Sequence, residues 1–336
     1  MEKKKEIVMS GIRPTGFLHL GSYFGAVRNY VRMQENYECF FMVADWHALT
    51  TLQETNELEG YVRRVMAENI ACGLDPDKAA FYCQSHVPET AELYLLLNML
   101  AYVGELEKTP TFKDKVRLQP QNVNAGLLTY PVLQAADILL HRAEFVPVGK
   151  DQEQHLEMAR NYSNRFNKRY GELFPEPYAF NFGEELIKVP SLDGKGKMSK
   201  SENQLATLYL ADPDKVIREK IRAARTETGG GGADQQAGMG PAVANLFLLL
   251  KLVAGSDVVG KFESDYAAGT IRYGDMKAEL ADGMVRFIAP IREKAEAIRL
   301  DEPYLDRVME RGADKARTSA QETLRLVREL IGLKYY

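Results

Sequence analysis

Ser10 to Tyr23 reads SGIRPTGFLHLGSY. A short apolar run, Ile7 to Met9, precedes it, and beyond it Phe24, Val27, Tyr30 and Val31 recur on one helical face. The pattern predicts a strand, a tight glycine-rich turn and a helix start. Gly11, Gly16 and Gly21 allow close backbone approach, and Ser22 is placed to cap a helix whose first amides attract a negative oxygen. His19 stands where its imidazole can donate to the same oxygens. Taken alone, the stretch is equally an ordinary strand-to-helix turn with a surface histidine.

Outward from this corner, the pattern alternates. Cys39 to Ala44 is a continuous apolar run ending at Asp45, Trp46 and His47, as for a buried parallel strand whose carboxyl end opens on a site. Glu57 to Cys72 has helical periodicity, Gly73 and Asp75-Pro76 turn the chain, and Ala79 to Cys83 is a further strand. This βαβα order predicts an α/β fold on an open, mostly parallel sheet. Glu89 to Tyr102 is a helix, and Gly104 to Asn124, with its prolines and charges, reads as a polar connection. Gly126 to Leu140, GLLTYPVLQAADILL, is a strongly apolar helix carrying one acid, Asp137. A carboxylate buried in such a face needs a partner; Tyr130 and Arg142 are the nearby candidates for a purely structural one.

The strand Glu144 to Val148 leads through Gly149, Lys150, Asp151 and Gln152 into a helix marked by Leu156, Ala159, Tyr162 and Phe166. Its turn could serve a ribose or an ammonium group, or simply cap the helix. Phe174 to Val189 is irregular, with Val189 a short strand before the loop GKGKMSKS at Gly194 to Ser201. That loop fits either a pyrophosphate or a solvated linker. Lys215, Arg218, Lys220, Arg222 and Arg225 mark a basic helix over Asp212 to Arg225, and Thr226 to Gly240 reads as a flexible connection. Helices follow at Ala242 to Ala254 and Met276 to Ile298, and Arg311-Gly312 is expected to split the C-terminal helical region.

The 336 residues, 45% of them apolar, suffice for a sizeable core and two domains. A net charge of -4 argues against a large nucleic-acid-coating surface but leaves room for a local basic face. Cys39, Cys72 and Cys83 have no paired spacing and are expected to be reduced core residues without structural zinc. With no membrane-length apolar run and no leader core in MEKKKEIVM, a cytoplasmic location is expected, with neither membrane nor DNA as a partner.

HLGS at 19–22 and KMSKS at 197–201 together resemble the paired nucleotide motifs of class I aminoacyl-tRNA synthetases. With VADWHALT, AYVGELEK, LLTYPVLQAADILL, PVGKDQEQH and RFNKRYGELF in order, the chain resembles the bacterial-type tryptophanyl branch over most of residues 7–330. The resemblance implies a Rossmann-like nucleotide-binding domain with a parallel sheet plus an α-helical domain. Residues 1–190 would be catalytic, with 297–336 packing back on them. Residues 191–296 would form the tRNA anticodon-recognition domain, including the lysine loop 194–201.

The implied reaction activates L-tryptophan with ATP to tryptophanyl-adenylate and then loads tRNA(Trp), in a homodimer. Catalytic roles fall on His19, Lys197 and Lys200. ATP contacts fall on Arg13, Pro14, Thr15, Gly21, Ser22, Gly149, Lys150, Asp151, Val189, Lys197, Met198, Ser199, Lys200 and Ser201. Tryptophan contacts fall on Met9, His47, Tyr130, Gln134, Asp137, Val146, Val148 and Gln152, with Asp137 accepting the indole N–H, and Lys113 to Arg117 neighbour the site. Mg²⁺ accompanies ATP with no dedicated protein cage. Four positions depart from the pattern: Ser22 stands for a second histidine, Trp46 for glutamine, Gln134 for methionine and Met9 for phenylalanine. A tyrosyl enzyme of the same fold, a small-molecule nucleotidylyltransferase and a noncatalytic RNA-binding module are the rival readings.

Overall fold

The structure is a computed structural model and describes residues 5–52, 54–149, 153–180, 188–194, 196–198, 203–226 and 239–334. In chain order the elements are β1 (Ile7–Ile12), α1 (Leu20–Ser22), a π-helical turn (Tyr23–Val27), α2 (Arg28–Met33), β2 (Glu38–Val43), α3 (Asp45–Leu49), α4 (Leu58–Ala71) and β3 (Ala80–Cys83). After a 3₁₀ turn (Gln84–His86) come α5 (Glu89–Asn98), α6 (Val103–Leu106), α7 (Pro110–Leu118), α8 (Ala125–Leu140), β4 (Phe145–Val146), α9 (Glu153–Tyr170) and β5 (Tyr178–Ala179). A second 3₁₀ turn (Gln204–Ala206) precedes α10 (Asp214–Ala223), α11 (Pro241–Val253), α12 (Ser256–Ala267), α13 (Tyr273–Leu300) and α14 (Glu302–Ile331). None of the described helices is long and apolar enough to cross a membrane.

The chain divides into two compact units. The first comprises residues 1–16, 29–185 and 299–336; the second comprises 17–28 and 186–298. Phe17 to Arg28, which sequence reading kept in the 1–190 domain, thus clusters with the later helices.

The first unit is a five-stranded parallel sheet in the order β3-β2-β1-β4-β5 with helices around it. Strands β1 to β3 are apolar and largely buried, as where both faces of a parallel sheet are covered, whereas the edge strand β5 is exposed. Phe40, Met42, Tyr82, Val132, Leu139, Phe166 and Leu324 share one core. Strand order reverses direction at β1, so the crevice beyond the carboxyl ends of β1 and β4 is the place where such sheets open on a ligand. Asn124 starts α8 by accepting the Leu127 amide at 2.9 Å, and the helix is buried along most of its length despite Pro131.

Several expectations change. Gly104 to Asn124 is not a plain connection: it holds α6 and α7, and Pro110 takes the first turn of α7, where its missing N–H costs nothing. Phe174 to Val189 contains the edge strand β5. Arg311-Gly312 does not split the C-terminal region, because α14 runs unbroken through it. A Cβ on residue 312 would lie 1.9 Å from the Phe81 carbonyl oxygen, so the glycine lets helix backbone rest on strand β3. The connection Thr226 to Gly240 falls mostly outside the described residues.

The second unit carries α10 to α12 and most of α13. Phe287 of α13 stacks on Phe24 at 5.7 Å and meets Tyr23 edge-on at 5.2 Å. The basic helix α10 is largely neutralised: Lys220 sits 2.8 Å from Asp212, and Arg218 reaches Asp282 at 2.5 Å.

Candidate functional site

In the first unit, polar side chains from the ends of β2 and β3 and from α8 converge. Asp45 follows β2, and its Oδ1 accepts the Trp46 amide at 2.9 Å and the Ser85 amide at 3.0 Å. Its Oδ2 accepts the Cys83 thiol at 3.1 Å. This buried latch ties the ends of β2 and β3 together and aligns the residues beside it, His47 and Gln84. Both reach Asp137 on α8: His47 Nε2 lies 2.8 Å from Oδ2, and Gln84 Nε2 donates to Oδ1 at 2.8 Å and Oδ2 at 3.1 Å.

Asp137 is 2% exposed. Burial raises its pKa; the His47 hydrogen bond and charge, followed by the Gln84 hydrogen bond, pull the other way. Neither candidate for a purely structural partner bonds it. Arg142 instead pairs with Glu322 at 3.1 Å, and Tyr130 is bonded elsewhere. A carboxylate has about four acceptor positions. Oδ2 takes two donors and Oδ1 takes one, so Oδ1 retains capacity for a further N–H.

A second cluster surrounds Tyr130. Its hydroxyl lies 2.5 Å from Thr111 Oγ1 and 2.7 Å from His155 Nε2, and Lys115 Nζ sits 3.5 Å over its ring. Burial, and then the Arg13 charge, bring the Lys115 ammonium down to about 8. Arg13, just past β1, donates to Thr51 Oγ1 at 2.6 Å, while its Nε is buried with no hydrogen-bond partner. Such a donor fits an anionic oxygen. Pro14 is buried and Thr15 exposed beside it.

Met9 and Val146 lie in the core under this region, and Val148 packs against that core. Gln134 and Gly149 are half-buried. Lys150, Asp151 and Gln152 lie outside the described residues.

The second unit holds the remaining predicted residues. His19 Nδ1 accepts the Ser22 amide at 3.2 Å, so His19 caps the short α1, and the capping role expected for Ser22 is corrected: the turn starts at Leu20, one step after His19. Ser22 makes no side-chain cap hydrogen bond. A neutral imidazole that accepts through Nδ1 carries its proton on Nε2, which makes His19 a donor there. Backbone bonds Leu20 N to Leu208 O and Leu210 N to Leu18 O, both 2.9 Å, hold the corner. Val189 is buried, and its expected strand is only a bridge: Pro190 pairs with Lys197, and Met198 N donates to Val189 O at 2.8 Å. Met198 is buried and Lys197 exposed. A Cβ at Gly21 would lie 2.9 Å from His19 Nδ1 and 3.3 Å from Met198 O, so this glycine lets the two motifs approach. Ser199, Lys200 and Ser201 lie outside the described residues.

Asp45 was expected at the rim of the site without a role, and Gln84, Thr111 and His155 were not singled out from sequence as site residues. Gln84 had a usable signal, since it directly follows a predicted parallel strand, and His155 ends the quoted stretch PVGKDQEQH; Thr111 had none. Among the described residues, no three His, Cys, Asp or Glu side chains are grouped to hold a metal ion.

The sequence matches the family described as tRNA synthetases class I (W and Y) over residues 1–289. It belongs to that family. Among its members, the tryptophan–tRNA ligase of Porphyromonas gingivalis is 53% identical over 331 residues, covering 98% of this chain and 100% of the relative. That of Clostridium tetani is 40% identical, covering 99% and 97%. The crystal structure of tryptophanyl-tRNA synthetase from Campylobacter jejuni complexed with ADP and tryptophan superposes with a TM-score of 0.86 at 34% identity, covering 97% of this chain and 100% of that one. The parallel sheet flanked by helices is the class I Rossmann-like fold of this synthetase family.

Proposed function

We infer that this protein is a tryptophan–tRNA ligase: it activates L-tryptophan with ATP to tryptophanyl-adenylate, releases pyrophosphate, and transfers the aminoacyl group to tRNA(Trp). The observation that carries the choice of amino acid is the buried Asp137 carboxylate, held by His47 and Gln84 with acceptor capacity left on Oδ1. An indole N–H donates and accepts nothing, so a fixed acceptor selects it over an apolar ring. Met9, Val146 and Val148 supply the apolar surroundings, and Tyr130, Gln134 and Gln152 complete the tryptophan contacts.

In the first step the carboxylate of tryptophan is the nucleophile, so the protein orients and stabilises charge rather than supplying an acid and a base. His19, through Nε2–H, and the amides near Gly21 and Ser22 hold ATP phosphates. Lys197 and Lys200 offset the charge that grows on pyrophosphate, with Met198, Ser199 and Ser201 as further ATP contacts and Val189 beside adenine. Arg13, Pro14, Thr15, Gly149, Lys150 and Asp151 complete the nucleotide contacts. Mg²⁺ would be carried by the triphosphate and would screen its charge.

The homodimer reading is supported by Leu95, Met99, Tyr102 and Val103, which are 56%, 68%, 64% and 59% exposed, the first two one turn apart at the end of α5 and the others at the start of α6. A chain leaving so many large apolar side chains together in water has reason to cover them with a second copy. Residues 191–296 would recognise the tRNA anticodon, and the three free cysteines fit a reducing cytoplasm. ATP–pyrophosphate exchange with each of the twenty standard amino acids tests the reading. Exchange that depends on tryptophan is expected; exchange with tyrosine alone would overturn the pocket assignment, and no exchange with any amino acid would overturn the activity.

A further inference from the structure

We propose that Gln84 is a positioning residue for tryptophan selection: it keeps the Asp137 carboxylate oriented and acceptor-only toward the indole N–H. This rests on the tryptophan reading above. Gln84 is fully buried at the carboxyl end of β3, on the 3₁₀ turn. Its amide orientation is determined by its neighbours. Asp137 presents only acceptors, so the NH₂ must face it, and the opposite end, Oε1, accepts the His47 amide at 3.4 Å. One amide therefore spans both carboxylate oxygens and contacts the backbone of the other Asp137 partner.

His47 alone would leave the carboxylate with a single donor, on Oδ2, and free to turn about its last torsion. With the Gln84 fork in place, Oδ1 and Oδ2 are both anchored. A buried carboxylate with too few donors tends to take a proton, and a protonated oxygen offers a donor where an acceptor is needed. Asp45 secures the device from behind, because the Ser85 amide next to Gln84 is bonded to its Oδ1.

The test compares tryptophan with β-(3-benzothienyl)alanine, in which sulfur replaces the ring N–H, by ATP–pyrophosphate exchange in the intact protein. In Gln84→Leu, KM for tryptophan is expected to rise roughly tenfold, as for loss of a hydrogen bond to a charged group. KM for the analogue, KM for ATP and kcat should stay within about twofold, so preference for tryptophan collapses while turnover survives. Gln84→Met keeps the length of the side chain while removing its amide donors; it supplies the same comparison if the leucine variant does not fold. Retained preference in a folded variant, or equal losses on both amino acids, would overturn the assignment. Wild-type exchange without tryptophan dependence would instead overturn the reading beneath it.

Discussion

The two halves of the chemistry are built differently. Around Asp137 the polar groups are largely buried and locked: His47 and Gln84 both bond its carboxylate, Asp45 fixes the chain beside them through the Trp46 and Ser85 amides, and Asp137 itself is 2% exposed. Around Lys197 the frame is a backbone bridge from which an exposed cation extends. On the function proposed above, the contrast follows from what each would have to do. Choosing one ring over another needs an acceptor held to within a fraction of an ångström, and unpaired alternatives made costly. Stabilising a departing pyrophosphate needs charge at the right stage of the reaction, in a place that nucleotide can enter and leave.

The widest gap between the halves should appear in Asp137→Asn. The new NH₂ would face the donors of Gln84 and His47, and loss of the buried partner is expected to raise KM for tryptophan on the order of a thousandfold, about 4 kcal/mol. Steady-state exchange with varied tryptophan checks it, and unchanged discrimination between tryptophan and phenylalanine would contradict it. Next in size is Gly312→Ala, which should lower stability by about 3 kcal/mol in denaturant unfolding, since a Cβ has no room against the Phe81 carbonyl. It breaks the scaffold of the amino-acid half without altering any group in its polar network.

Lys197→Ala gives the mirror image of Asp137→Asn. Adenylate formation should fall roughly tenfold, below the larger losses of buried charge stabilisation because Lys197 is exposed, while calorimetric tryptophan affinity holds. Equal losses in both would erase the distinction between the halves. The smallest change is expected at Arg142, which sits at φ 52°, in the left-handed region, at the end of α8. Arg142→Gly relieves that strain but gives up the partly exposed Glu322 pair, so melting should show a gain below about 1 kcal/mol.

Much of this was legible in the amino acids, for identifiable reasons. The strands over Glu38–Val43 and Ala80–Cys83 stand out because both faces are buried and their runs are uninterrupted. Asp137 stands out because a lone acid in an apolar helix is expensive. Its pairing did not: His47 was expected near the site but not on Asp137, and Gln84 was not expected at all, since they lie 90 and 53 residues away and meet it only once parallel strands bring their ends together. Gly312 and Pro110 misled in the same manner. Each is a helix breaker in an exposed interior, yet one is a contact point for a neighbouring backbone and the other a first-turn residue, and local sequence does not separate these uses.

The central claim is that Asp137 reads the indole nitrogen. A crystal structure of the protein with bound L-tryptophan tests it most directly. The indole nitrogen should lie within about 3.2 Å of an Asp137 carboxylate oxygen, with Gln84 still bridging the carboxylate. An indole nitrogen bonded to a different residue, with Asp137 closed on His47 and Gln84 alone, would contradict it.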